Sequence, residues 1–299
     1  HRDLHLSIRR QRQMCIRDRA QYEKNKQTTS SKPRMSDEDR LKQYFTIALP
    51  KGVKQGEKRI RILPTTDGSS PFKEVFFHNT QVQGRWMKIY DPGKDSTGKP
   101  TGERSPLNEV EEALRLAGDE QSKELARNYR SQKFYIVKIV DRDKEEDGVK
   151  FWRFKHNWKG DGPIDKIIPI WRNKGDITDI NEGRDLILIL QAVPLPGGRG
   201  EYTTVSSVMY EDPGKLSNDD SQTKDWTSDE RIWKDVYSQK PVEYLEAISK
   251  GLDPVWDSEL KKYTYDDPNA KINSTVDMSS TSTSEDPQAN QKADEDLPF

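Results

Sequence analysis

Residues Lys133 to Lys159 read KFYIVKIVDRDKEEDGVKFWRFKHNWK and form the clearest structural pattern in the chain. Two runs rich in aromatic and β-branched residues flank a polar, charged segment that closes on Asp147-Gly148. Aromatic and β-branched residues favour strands, and an Asp-Gly pair tolerates the positive φ angles of a tight turn. The stretch therefore predicts a β-hairpin.

The second run of this hairpin combines flat rings with cations. Successive side chains of a strand point to opposite faces, so one face is expected to carry Trp152, Phe154, His156 and Trp158, and the other Phe151, Arg153, Lys155 and Lys159. Between Arg127 and Lys174 there are thirteen Lys or Arg and seven Asp or Glu. Rings that stack on bases, set among cations that follow phosphates, are typical of binding to single-stranded nucleic acid. An ordinary half-buried hairpin with Lys and Arg on its solvent-exposed face explains the same pattern.

The rest of the chain alternates short strands with turns. Further strands are predicted at 58–64, 72–78, 84–90, 167–171, 184–190 and 202–208, and the strand at 184–190 is apolar enough to be buried on both faces. Helices are predicted from Ser105-Pro106, over 120–129, and twice within 228–251, while 91–104 is expected to be a mobile surface loop. This order predicts a mainly β, α+β fold: a partly open oligonucleotide-binding barrel with a helical insertion and disordered termini.

Composition divides the chain further. Only 31% of the 299 residues are hydrophobic and 34% are charged, which is lean for a fully packed protein of this length. We expect a basic flexible arm at 20–40, a binding core at 41–218 with an insertion at 91–130, a short helical segment at 219–265, and a disordered acidic tail at 266–299.

Residues 1–19 look foreign to the rest, because Gln13 to Arg19 resembles the translation of a sequencing adapter. We exclude this leader from the fold prediction. Cys15 is the single cysteine of the chain, so the remaining protein has no thiol for a disulfide or for a cysteine-based zinc site.

Charge is segregated along the chain. Residues 219–299 carry nineteen acidic and nine basic residues, a net charge of −10, which leaves +9 for residues 1–218. A basic body with an acidic end favours a polyanionic partner and a tail that competes with it. No run approaches the roughly 20 apolar residues of a membrane span, and no secretory signal is visible, so we expect a soluble, intracellular protein.

Several short motifs occur in an order that resembles one family. They are Ile60-Arg61-Ile62-Leu63-Pro64, Ser70-Pro71-Phe72, Phe77-His78-Asn79, Gly84-Arg85-Trp86, Phe151-Trp152-Arg153-Phe154 and Gly200-Glu201-Tyr202. Together, across roughly Tyr44 to Leu216, they resemble the T4-type bacteriophage single-stranded DNA-binding protein. The resemblance implies a non-catalytic protein of the host-cell cytoplasm that coats single-stranded DNA in replication, recombination and repair. It also implies cooperative self-association along DNA through the basic N-terminal arm.

The resemblance also implies which residues meet DNA. Trp86, Trp152 and Tyr202 fall where the family places aromatic residues in or beside the DNA cleft, with Arg85, Arg153 and Lys155 as neighbours. The hairpin adds Lys133, Tyr135 and Trp158 to the predicted interface. Where the family has two aromatic residues at the start of the first hairpin strand, this chain has Gln132-Lys133.

A zinc module typical of the family is not expected here. That module uses one His and three Cys; His78 lies at the position of the His, but Ser105-Pro106-Leu107-Asn108 stands where Cys-Pro-X-Cys would be. We therefore predict no metal and no cofactor. The apolar face of the helix from Leu107 is expected to stabilise this part of the chain instead.

The end of the chain resembles a second signature, the acidic tip of bacterial single-stranded DNA-binding proteins. Asp294, Glu295 and Asp296 precede Leu297, Pro298 and Phe299, and we predict that these six residues bind phage or host replication and recombination proteins. A merely solubilising tail would explain the three acidic residues but not the apolar ones.

Two other functions fit the sequence less well. A metal-dependent nuclease needs clustered carboxylates on a rigid scaffold, whereas the carboxylates of 141–147 alternate with cations at a hairpin tip. A virion structural protein would explain a β-rich core but not the charge segregation or the terminal motif.

Overall fold

The computed structural model describes residues 42–265, except 83, 196–199 and 238. The predicted arm at 20–40 and the predicted tail at 266–299 lie outside the described residues. The six residues predicted to bind partners, 294–299, lie outside them as well.

The described residues form ten strands and six helices. In chain order these are β1 (Tyr44–Phe45), β2 (Gln55–Ile62), β3 (Lys73–Val82), β4 (Arg85–Tyr90), α1 (Pro106–Ala117), α2 (Glu120–Tyr129), β5 (Gln132–Asp141), β6 (Val149–Lys155), α3 (Pro163–Lys174), β7 (Leu186–Pro194), β8 (Glu201–Tyr210), α4 (Asp220–Thr227), α5 (Trp233–Val236), α6 (Val242–Ser249), β9 (Val255–Asp257) and β10 (Lys262–Thr264).

The predicted hairpin is β5–β6, which lies in the middle of the sheet. Its register pairs Phe134 with Lys155 and Val140 with Val149, and its tip is a short 3-10 turn over Glu145–Asp147. Gly148 ends that turn at φ +72°, the left-handed conformation that a residue without Cβ adopts most easily. Both faces of the hairpin are covered: Val137, Trp152 and Phe154 belong to the barrel core, while Phe134 and Phe151 pack in a second, outer cluster. The half-buried alternative is therefore wrong.

The sheet is an incomplete barrel. Strand order is β1-β6-β5-β2-β7-β8, and the β3–β4 ribbon branches off because β3 pairs with the first half of β5. Within the part of the chain that the structure describes, no strand pairing joins β8 back to β1 or β6. Two other contacts cross this opening: the Leu49 amide donates to Thr203 Oγ1 at 3.2 Å, and Lys166 Nζ donates to the Val205 carbonyl at 3.0 Å. This confirms the predicted class, a sheet-dominated α+β fold compatible with an open oligonucleotide-binding barrel.

One predicted strand, at 167–171, is wrong and forms α3 instead. Ile164, Ile167 and Ile170 recur every three residues, which puts them on one helical face, and all three are buried in the barrel core. The helix begins after Gly162, whose amide donates to Asp165 Oδ2 at 2.9 Å. β-branched residues and an interior proline made this run look extended, but packing against the barrel favours the helix.

Strand β7 is buried on one face only, which corrects the prediction that both its faces are buried. Leu186, Leu188 and Leu190 are 0% exposed, whereas Ile187 and Ile189 between them are partly accessible. Strand β8 pairs with β7 along its whole length and α3 covers the inner side, but no layer of the described fold fully covers the outer side. The alternation is that of a sheet with one wet face.

The segment 219–265 packs across the outside of the sheet. Trp226 of α4 lies against Leu63 and Val140, and Val236 and Tyr237 join the outer cluster of the hairpin. Further on, Tyr244, Leu245 and Ile248 of α6 form a cluster with the β3–β4 ribbon. Helix α4 and the small β9–β10 hairpin were not predicted, because each is too short and polar to give a periodic apolar pattern.

The loop 91–104 was predicted to be a mobile surface loop, but it is anchored at its start. Asp91 is 0% exposed, and its amide donates to the Phe76 carbonyl at 2.9 Å. Among the described residues, no helix is long and apolar enough to cross a membrane.

Candidate nucleic-acid interface

Three aromatic rings come together at the start of β5 and just beyond the end of β6: those of Tyr135, His156 and Trp158. The His156 amide donates to the Lys133 carbonyl at 2.9 Å, so the chain remains paired just beyond β6. The Tyr135 hydroxyl lies 3.3 Å from His156 Nδ1, and the His156 ring meets the Trp158 ring edge-on, with centroids 4.3 Å apart. Tyr135, His156 and Trp158 thus form a continuous row of rings.

Strand β3 extends this row on the same side of the sheet. The register places Glu74 opposite Tyr135 and Phe76 opposite Lys133. Lys133 Nζ lies 2.7 Å from Glu74 Oε2 and 5.5 Å from the centroid of the Tyr135 ring.

The loop after β4 adds a second cation. Lys94 Nζ donates to Ser131 Oγ at 2.7 Å and lies 5.8 Å from the centroid of the Phe76 ring. We define the basic-aromatic surface as Phe76, Lys94, Lys133, Tyr135, His156 and Trp158. Cations interleaved with rings on one continuous surface suit a ligand with both phosphates and bases.

The rings of this surface differ in exposure. Trp158 is 77% exposed and offers an open ring face to a base, whereas Tyr135 is only 8% exposed. Burial raises the pKa of the Tyr135 hydroxyl, although Lys133 opposes that shift, so the phenol stays uncharged beside the cation. Tyr135 therefore supports the surface, and Trp158 is its most accessible ring.

Trp152, by contrast, has no access to a ligand. It is 1% exposed and packs edge-on against Phe45 and 4.4 Å from Phe154, centroid to centroid, inside the barrel core. The prediction that Trp152 contacts DNA is corrected on this ground, because stacking on a base needs an open ring face. Its role is to fill the barrel.

Arg153 lies on the outer face of the sheet and is already occupied by rings. Its guanidinium is 4.6 Å from the centroid of Tyr237 and 5.0 Å from that of Phe77. This cation–π packing holds the segment 219–265 against the hairpin. A role for Arg153 in DNA binding remains a prediction, on the opposite face from Tyr135.

The other predicted residues are dispersed over the fold. Lys155 is exposed at the end of β6, paired with Phe134 on the outer face. Trp86 pairs with Gln81 of β3. Gln81 lies four residues beyond Phe77, a distance of about 13 Å along the strand. Tyr202 is 49% exposed near the start of the edge strand β8. Arg85 precedes Trp86 on β4, so the structure does not gather these four residues with the basic-aromatic surface.

Sequence reasoning missed three members of the surface as binding residues: Phe76, Lys94 and His156. Phe76 lay in a predicted strand, and its period-two relation to Glu74 was the available signal. Lys94 lay in a loop without regular pattern, so only the fold could place it against Phe76.

A cluster of buried polar side chains lies behind this surface, at the position where the resemblance puts a zinc module. His78 and Asp91 both have side chains that are 0% exposed, with Nε2 3.5 Å from Asp91 Oδ1. His78 Nδ1 lies 2.7 Å from the Tyr129 carbonyl, which can only accept, so Nδ1 carries a hydrogen. Nε2 therefore is the ring nitrogen that faces the Asp91 carboxylate.

Asn108 completes the group around Asp91. Its Nδ2 donates to both carboxylate oxygens, at 2.8 and 3.0 Å. Burial alone would raise the pKa of Asp91, but the neighbouring His78 ring, together with Ser131 and Asn108, holds that pKa well below its usual range. The buried cluster of His78, Asp91 and Asn108 therefore contains a stable carboxylate.

These residues do not fit the zinc module. Zinc prefers thiolate, imidazole and carboxylate ligands, and the positions of two Cys hold the hydroxyl of Ser105 and the amide of Asn108. The Asn108 amide already turns its hydrogens toward Asp91. A Cβ on Gly93 would come within 2.8 Å of Asn108 Nδ2 and 2.9 Å of Ser105 Cβ, so the cluster is closely packed. His78 Nε2, Ser105 Oγ and Asn108 Oδ1 have no hydrogen-bond partner in the described structure.

A family model described as gp32 DNA binding protein like matches residues 54–255, more than half of the chain. This chain belongs to that family. A search of curated proteins finds no match. Membership in the gp32-like family supports binding of single-stranded DNA, and the match spans every member of the basic-aromatic surface.

Proposed function

We propose that this gp32-like protein coats single-stranded DNA, without catalysis and without strong sequence preference, during phage DNA replication, recombination and repair. The observation that carries the proposal is the row of rings ending in the exposed Trp158, flanked by Lys133 and Lys94. An oligonucleotide-binding barrel uses its second and third strands for nucleic acid, and β5 and β6 are the corresponding strands here. The segment 219–265 packs on their outer face, so the ligand is expected at the start of β5 and the end of β6.

Catalysis is tested with labelled single strands incubated with and without magnesium. Binding without catalysis gives a gel shift with intact DNA under both conditions. Shortening of the strand only when magnesium is present would favour a nuclease instead.

Trp158→Ala is expected to weaken binding to oligo-dT by roughly 1–3 kcal/mol, because one exposed stacking ring is lost. Affinity is measured by fluorescence anisotropy at several salt concentrations. The slope of log affinity against log salt should stay unchanged, near −0.7 per phosphate neutralised, since no cation is removed.

The matched control is Trp256→Ala, because Trp256 is also an exposed tryptophan, at 46%, but lies on the β9–β10 hairpin against Tyr263. It should bind DNA like wild type. Equal binding by Trp158→Ala and wild type, with both folded, would remove Trp158 from the interface. In the same assay, Trp86→Ala tests whether the DNA path extends to the β3–β4 ribbon, and Tyr202→Ala tests whether it extends to the edge strand β8.

The N-terminal arm and the C-terminal tip are proposed to recruit other proteins. Lys24, Lys26, Lys32 and Arg34 make the arm basic, which suits contacts between neighbouring copies along DNA. The tip, 294–299, combines three carboxylates with Leu297 and Phe299, a combination that fits an apolar pocket with a basic rim on a replication or recombination protein.

Deleting residues 294–299 is expected to abolish recruitment of replication proteins in a pull-down, and to tighten DNA binding at low salt. The reason for the second effect is that the acidic tip competes with DNA for basic groups, weakly and within a screening length of about 8–10 Å. Phe299→Ala should impair recruitment with little change in DNA affinity. If the deletion changes neither property, the tip serves only solubility.

A further inference from the structure

The carboxylate of Glu74 borders the basic-aromatic surface at Lys133. Glu74 lies opposite Tyr135 in the register, and its Oε2 is 2.7 Å from Lys133 Nζ. The side chains of Glu74 and Lys133 are 34% and 18% exposed. A negative charge therefore holds a cation of the very surface that is proposed to bind a polyanion.

Fold stability does not account for this pair. Partly exposed ion pairs contribute roughly 0–1 kcal/mol, and the β3–β5 pairing is already maintained by its backbone ladder and by apolar neighbours such as Val75 and Phe134. A carboxylate beside the path of a phosphate also repels it, which lowers affinity. The placement of Glu74 has an electrostatic consequence for binding and only a small one for folding.

We propose that Glu74 is a built-in competitor for DNA phosphate at Lys133, a residue that limits affinity and speeds release. The inference rests on the proposed function of this surface. In free protein the ammonium of Lys133 is neutralised by Glu74, and an arriving phosphate must take its place. Glu74, one-third exposed, then turns to solvent and attracts a cation, which offsets the counterion that the phosphate releases.

The competitor role predicts a distinct salt dependence. In wild type, Lys133 contributes little to the slope of log affinity against log salt, because cation uptake by Glu74 cancels counterion release. In Glu74→Gln, Lys133 is available, so the slope becomes steeper by up to about 0.7. Affinity at low salt should rise about two- to tenfold, and the gain should shrink at high salt, where the charges are screened.

The experiment measures oligo-dT binding by the full chain as wild type, Glu74→Gln, Glu74→Asp, Lys133→Gln and the double variant Glu74→Gln/Lys133→Gln. Glu74→Asp keeps the charge and should stay within about twofold of wild type. The gain from Glu74→Gln should largely vanish in the Lys133→Gln background, because Glu74 acts through Lys133. Melting temperatures are recorded for all variants, and Glu74→Gln should melt close to wild type.

A matched control is Glu120→Gln on α2, which breaks the exposed ion pair of Glu120 with Lys123, 2.9 Å apart, away from the surface. It should leave both affinity and salt slope unchanged. Unchanged or weaker binding by Glu74→Gln overturns the inference; weaker binding would mean that Glu74 positions Lys133 for the phosphate. A wild-type chain that does not bind single-stranded DNA at all overturns the proposed function instead, so the two failures are distinguishable.

Discussion

Trp152→Ala is expected to lower the free energy of unfolding by about 3–5 kcal/mol, the largest effect predicted for this protein. The ring is 1% exposed and lies between Phe45 and Phe154, where β1 pairs with β6 beside the barrel opening. Removing it leaves a cavity that rigid strands on both sides cannot close. Urea denaturation followed by circular dichroism measures the loss.

Trp158→Ala is the control for this variant, because Trp158 lies six residues later and is 77% exposed. It should retain wild-type stability while losing DNA affinity. Binding by Trp152→Ala is measured at a temperature and urea concentration where it remains folded, and there it should approach wild type. A Trp152→Ala protein of wild-type stability with weakened DNA binding would contradict the core assignment and return Trp152 to the interface.

Asp91→Asn is expected to cost about 1.5–3 kcal/mol of stability, because the buried carboxylate accepts charge-assisted hydrogen bonds from Gly93 and Asn108. The amide keeps the size of the carboxylate but removes its negative charge, and it turns hydrogen-bond donors toward those of Asn108 and of the Gly93 amide. The melting temperature at neutral pH should therefore fall well below that of wild type.

The pH dependence of this difference follows from the lowered pKa of Asp91. A carboxylate whose folded pKa is depressed stabilises the fold above its unfolded pKa, about 3.9, and loses that contribution as pH falls toward the folded value. The difference in stability between wild type and Asp91→Asn should thus be largest at neutral pH and should become smaller in acid. Glu112→Gln, an exposed change on α1, is the matched control and should melt like wild type at every pH.

A chelator provides an independent check of the same cluster. Protein without residues 1–19 is expected to keep its melting temperature in a strong chelator, since the cluster is held by hydrogen bonds and charge. One tightly bound zinc per chain, found by elemental analysis, would contradict this.

Local patterns in the sequence were enough to predict most of the secondary structure. Alternation of apolar residues predicted the β5–β6 hairpin, and Ser105-Pro106 predicted the start of α1. The predicted helix over 120–129 coincides with α2, and the side chain of Asp119 accepts from the Ser122 amide at its start. Interactions of this kind are made between residues close in the chain, so they can be recognised from the sequence without knowledge of the fold.

What the sequence did not decide is which residues of an element face ligand, solvent or core. Alternation put Trp152 and Trp158 on one face, but β6 ends at Lys155, so Trp152 is enclosed by the barrel and Trp158 extends beyond it. Similarly, Arg153 meets Tyr237, which lies 84 residues later in the chain. Composition and local pattern thus determined the element types and the chemistry of a basic, aromatic hairpin. Only the tertiary structure decided which rings and cations of that hairpin are accessible, because burial depends on contacts between residues far apart in sequence.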